Sequence, residues 1–273
     1  EVKLVNAAIV SIHIDGYKVS NPIGFQGKDV AIQIYTAFAP MVHIGALERT
    51  ATELNLELVA VAAEPFAVAR AVLGTDESPN YTAILCDVGG GSTDIAVVND
   101  GGVEGTKCFG VAGRSFTKTI SGDLSIGYEA AEKLKLNIDG GKIKPNVLRT
   151  VNESIDNTLD VWISGVQLAL SEFDAIDHLP NKFLLCGGGS SLGALVDRLE
   201  TSNWYKDLPF SRRPIIKHVR PSDVSGIEDE TGEITDHTLI TALGLLRVGY
   251  DTMESVTGTK ETFRDKIDRV LRI

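Results

Sequence analysis

The stretch TAILCDVGGGSTDIAVV, residues 82–98, constrains the fold of this 273-residue chain more than any other. Two apolar runs of strand length, 82–86 and 95–98, are separated by an acid, three consecutive glycines, two hydroxyls and a second acid. Short apolar runs bounded by glycines read as buried strands, and the chain must reverse between them. Glycine tolerates positive φ, and its amide can approach a ligand closely. Successive amides in such a turn make a concave nest for phosphate oxygens. Ser92 and Thr93 add hydroxyl donors, and Asp87 and Asp94 are acceptors able to hold Mg2+ directly or through its waters. A plain glycine hairpin accounts for Gly89, Gly90 and Gly91 equally well. The acids favour phosphate with Mg2+, because carboxylates beside a phosphate nest repel it unless a cation stands between them.

The same grammar recurs along the chain. KFLLCGGGSSLGALVDRLE, residues 182–200, is again strand, glycine cluster and helix. LELVAVAAEPFAVARAVLG, residues 56–74, predicts a strand, a break at Glu64 and Pro65, a helix that Pro65 can start, and closure at Gly74. Residues 1–55 read as a small α+β unit: a strand pair turning at Asp15 and Gly16, a further strand at 28–38 and a helix at 41–54. After residue 98 come an NDGG hairpin turn, a strand to Phe109, a helix from about Gly113, another over 125–136 and a loop at 137–146. Val147, Val151, Ile155, Leu159, Trp162, Val166 and Leu170 then recur at helical spacing, the mark of a long core helix. Residues 204–233 are polar and irregular.

A chain this long buries a large core, predicted as two domains or lobes. Its net charge of -11 argues against a nucleic-acid partner. No run approaches the roughly 18 apolar residues of a membrane span, and the start lacks a signal-peptide pattern. Cys86, Cys108 and Cys186 have no metal spacing and read as buried reduced thiols of a cytosolic protein. The five histidines are scattered and read as structural or solvated. The last residues, GTKETFRDKIDRVLRI, set Phe263, Ile267, Val270 and Leu271 against five basic and three acidic residues. Such a helix lies on an anionic membrane or packs on the protein, and both readings stand.

In order, these motifs resemble those of the actin-like and sugar-kinase-like ATPases: Asp87 to Asp94, then Ala131, Glu132 and Lys135, then Gly187 to Gly189. NPIGFQGKDVAIQIYTAFAP and EPFAVARAVL narrow the resemblance to the FtsA family of bacterial cell-division proteins, with the PilM proteins of type IV pilus machines as close relatives. The resemblance implies an α/β, actin-like (RNase H-like), two-lobed ATPase fold with a small α+β (SHS2-like) subdomain and an incomplete first lobe. It divides the chain into 1–55, the small subdomain; 56–80, the rest of the first lobe; 81–130 with 181–250, the nucleotide-binding core; 131–180, a helical insert; and 251–273, a C-terminal helix, with 253–259 as its linker. It implies ATP and Mg2+ as ligands. Gly89, Gly90, Gly91, Ser92 and Thr93 would cradle the distal phosphates, and Asp87 would contact Mg2+ through water. Glu132 and Lys135 would face ribose and adenine, Gly187, Gly188 and Gly189 the adenosine, and Gly113 the cleft wall. Glu64 would orient the attacking water of a weak ATPase, though a helix start explains Glu64 as well. Implied partners are the FtsZ C-terminal peptide, further copies in a filament, and the inner face of the cell membrane. The alternative is a PilM-like cytoplasmic assembly platform. The family's N-terminal phosphate loop is missing and the chain opens on Glu1, so a fragment of a longer protein is expected, with a chain that has lost nucleotide handling as the alternative.

Overall fold

The computed structural model describes residues 1–19, 22–73, 81–174 and 176–257. β1 (Val2–Ile14) turns at Asp15 and Gly16, with φ of 50° and 84°, into β2 (Tyr17–Lys18). Two successive positive φ values give the tight turn whose twist matches an antiparallel pair. β3 (Val30–Pro40) lies antiparallel on the other side of β1, giving the order β2-β1-β3, and α1 (Met41–Glu53) follows. This small sheet leans on the larger one: Gln33 Nε2 donates to Glu104 at 3.1 Å, and the Tyr35 ring stacks on Phe66 with centroids 5.9 Å apart.

The strand expected within 56–63 is not formed. Among the described residues no strand pairs with this segment, and a β-patterned sequence without a hydrogen-bonded partner strand stays irregular. Its end is held by Asn6 Oδ1, which accepts the Ala63 amide at 2.8 Å. α2 (Glu64–Leu73) follows, with Pro65 in its first turn; Gly74 lies outside the described residues.

The larger sheet has the order β6-β5-β4-β7-β8. β4 (Ala83–Val88), β5 (Thr93–Asn99) and β6 (Gly102–Phe109) form an antiparallel meander, turned at Asp100 and Gly101. β7 (Lys182–Cys186) runs parallel beside β4, and β8 (Ile215–His218) parallel beside β7. β8 falls in the segment read as irregular; four residues with two apolar side chains carry too little pattern to stand out.

Helices cover both faces. α3 (Gly113–Asp123), α4 (Tyr128–Leu136), α5 (Pro145–Ser171) and α6 (Gly193–Thr201) pack on one, around Ile84, Cys86, Phe116, Leu159 and Trp162. α2 and α7 (Ile240–Thr257) pack on the other, around Ala83, Leu85, Val68 and Leu243. Alternate residues of β4 therefore serve two different cores, and all six are buried, as expected of a central strand covered on both sides. α7 continues unbroken past residue 251 to Thr257, so Met253–Thr257 is helix rather than linker. The basic tail, 258–273, lies outside the described residues, among which no helix is long and apolar enough to cross a membrane.

Candidate nucleotide site

β4 and β7 are parallel neighbours, so the turns at their carboxyl ends emerge side by side, where open α/β sheets bind ligands. The first turn of α3 closes on both. A Cβ on Gly113 would lie 3.2 Å from Gly89 O and 3.7 Å from Gly189 Cα; one on Gly189 would lie 2.6 Å from Gly89 O. Gly113 N–H donates to Gly89 O at 3.1 Å and Arg114 N–H to Gly90 O at 2.7 Å. Three glycine turns separated in sequence thus meet backbone to backbone. None of Gly89, Gly90 and Gly91 occupies the left-handed region, which corrects the positive-φ expectation there. A Cβ on any of the three would meet only ordinary contacts, at 3.4–3.7 Å, so the positions that exclude one are Gly113, Gly187 and Gly189. Positive φ belongs to Gly187, at 80°, where a side chain would also run into the Asp87 carboxylate and come within 2.6 Å of Val88 O. Gly188 faces open space.

Asp87 and Asp94 stand directly opposite each other on β4 and β5, only 8% and 9% exposed. Thr241, in the first turn of α7, donates its hydroxyl to Asp87 Oδ2. Burial pushes the Asp87 carboxyl up, the Thr241 hydroxyl pulls it down and Asp94 pushes it up again, with a net rise. Glu64, at the start of α2, joins them: its carboxyl is raised by burial, then by Asp94 and Asp87. Among the described residues none of the three pairs with lysine or arginine. Cys108, opposite Asp94 on β6, is exposed rather than buried, because β6 is an edge strand. Partial burial, and then Asp94 and Glu64, push its thiol up to about 11, and Ser92 stands beside it. Cys86 and Cys186 are buried as expected.

Thr93 departs from its expected role. Its hydroxyl is fully buried, donates to Val111 O at 2.8 Å and accepts Trp162 Nε1 at 2.9 Å, so it ties β5 to α5 rather than opening to the cleft. On the α3 side, Lys135 Nζ reaches Gly113 O at 3.0 Å, Thr117 Oγ1 at 2.9 Å and Glu132 at 2.9 Å, and Thr117 donates to Glu132. Burial pushes the Glu132 carboxyl up, but Thr117 and Lys135 outweigh it and hold it below its usual range.

Several residues at the site carried no sequence signal. The Arg114 guanidinium lies along the glycine turn, its Nε 3.4 Å from where a Gly90 Cβ would stand. His218 and His237 stack with centroids 3.9 Å apart behind the second glycine turn. His218 meets Ser190 O and His237 meets Ser191 Oγ, each at 3.0 Å, while His237 O accepts the Gly187 amide at 3.1 Å.

The chain is similar to known proteins. A family model, Cell division protein FtsA, matches residues 84–244. FtsA of Buchnera aphidicola subsp. Acyrthosiphon pisum (strain APS) is 24% identical over 273 aligned residues, covering 90% of this chain and 62% of that protein. FtsA of Bacillus subtilis (strain 168) is 36% identical over 89 residues, 33% of this chain and 20% of its own length. The chain thus spans about three-fifths of the first relative's length. Among solved structures, a chain of the PilM-PilN type IV pilus biogenesis complex superposes with a TM-score of 0.66 at 20% identity, covering 91% of this chain and 67% of that one. MreB5 of Spiroplasma citri bound to ADP gives 0.50 at 18%, covering 81% and 69%. These two likenesses concern the fold, which is actin-like. The family match takes in β4 through the first turns of α7, more than half of the chain, and the chain belongs to the FtsA family of cell division proteins.

Proposed function

We propose that the chain binds ATP with Mg2+ where β4, β7 and α3 meet, as part of an actin-like protein that polymerises and tethers the FtsZ ring to the inner face of the cell membrane. The observation that carries the nucleotide reading is the contact of three glycine backbones beside a pair of nearly buried carboxylates. The residues fit such a ligand. The cradle is a space that side chains would fill, and Asp87, Asp94 and Glu64 lack a basic partner among the described residues. No three of the described His, Cys, Asp and Glu side chains chelate an ion by themselves. A cation here is therefore held between carboxylate and phosphate, with Asp87 acting through water.

In this reading Gly89, Gly90, Gly91 and Ser92 line the distal phosphates, with Thr93 contributing backbone rather than hydroxyl. Gly113 forms the wall, Glu132 and Lys135 the ribose side, and Gly187, Gly188 and Gly189 the adenosine side. Mg2+ would neutralise phosphate charge, and Glu64 would orient water in a slow hydrolysis. The family match supports the division role, with the small sheet as an SHS2-like subdomain.

Calorimetry with MgATP tests the nucleotide reading. Saturable binding by the chain, weakened at least tenfold by Asp87→Ala, is expected; no saturable binding at millimolar MgATP overturns it. Co-sedimentation with anionic liposomes, with and without residues 258–273, tests the membrane role, and unchanged sedimentation removes it. Binding of an FtsZ C-terminal peptide is expected, whereas selective capture of an N-terminal peptide from a membrane pilus protein would replace the division role with that of a pilus platform.

A further inference from the structure

We infer that Arg114 is the residue through which this chain distinguishes nucleoside di- and triphosphates from monophosphates, an inference that rests on the nucleotide reading above. Three observations converge on it. The guanidinium lies along the turn whose backbone faces the distal phosphates: Nε stands 3.4 Å from the Cβ position of Gly90, and Nη1 3.7 Å from that of Gly91. It has no carboxylate partner among the described residues, although the sheet side of the cleft carries Asp87, Asp94 and Glu64. The other basic group at the base of α3, Lys135, is committed to Glu132, Thr117 and Gly113 O.

Arg114 is thus a cation without a carboxylate partner among the described residues, set against a glycine turn whose flanking strands carry Asp87 and Asp94. A polyphosphate chain with Mg2+ on its carboxylate side still carries negative charge on its α3 side. A planar guanidinium there offers two parallel donors, where an ammonium offers a point charge. Its backbone amide is used separately, on Gly90 O, so changing the side chain leaves the α3 contact to the turn intact. A monophosphate bound by its adenosine end does not extend along Gly90 and Gly91, so its affinity does not depend on Arg114.

The experiment compares MgATP, MgADP and AMP binding to the unaltered chain, Arg114→Gln and Arg114→Lys, at low and high salt. Arg114→Gln should weaken MgATP and MgADP by roughly tenfold to a hundredfold and leave AMP unchanged. Arg114→Lys should recover part of the loss, and the dependence of MgATP affinity on salt should flatten in Arg114→Gln. Equal weakening of all three ligands, or of none, overturns the inference while the nucleotide reading stands. If the unaltered chain binds none of the three, the nucleotide reading falls and this inference falls with it. The exposed side chain makes misfolding of the variants improbable on physical grounds, and matching melting curves verify it.

Discussion

Asp87 is held in a state that costs stability until something positive reaches it. Its carboxyl is raised above 3.8 by burial and by Asp94, with only the Thr241 hydroxyl opposing. The folded chain therefore binds this proton more tightly than the unfolded chain does. Stability falls as pH rises from 3.8 through the folded value, and it stays reduced at neutral pH. Asp87→Asn should accordingly melt above the parent at pH 7 without nucleotide. The gap should close as the pH approaches 4. A lower melting temperature for the variant would mean that the Thr241 bond outweighs burial. The acids and glycines were legible because they are adjacent in sequence. Thr241 was not, since its bond to Asp87 spans 154 positions. The role of Thr93 was misread against a signal that was present: side chains alternate along a strand, so if Asp94 faces the cleft its neighbour faces the α5 core.

Between elements, α2 and α7 approach each other closely. A Cβ on Gly244 would run into Ala67 O, so the two helices touch at a glycine and an alanine. Below that contact, Arg247 is 3% exposed and is satisfied by Asp251 and by Ser225 O at 3.1 Å, while Arg70 reaches Asp251 from α2. Gly244→Ala should force the helices apart and cost about 1–3 kcal/mol in denaturant titrations, despite its better helix propensity. A stabilised variant would show that the pair slides without strain. α2 was read from the break at Glu64 and Pro65, whereas α7 was not read as a helix, and their partnership was not readable at all, because sequence spacing describes a face and not what covers it. The irregular course of 56–63 has the same origin: β propensity is local, whereas a ladder needs a neighbour.

Across the whole molecule, the order of motifs was enough to place four of the five strands of the large sheet and its two glycine turns, β8 being missed. The attachment of the small sheet depends on contacts such as Gln33 with Glu104, which no periodicity encodes. One bond described above also acts at this scale. Asp87 ends β4, Thr241 begins α7, α7 rests on α2, and α2 begins with Glu64. A cation that took Asp87 Oδ2 as its own ligand would share that oxygen with the Thr241 hydroxyl and weaken the tether at the end of α7 nearest the cleft. A cation bound through water instead leaves the tether in place. The bond is a clutch: how far a ligand's charge reaches the helix pair would depend on how that one oxygen is shared.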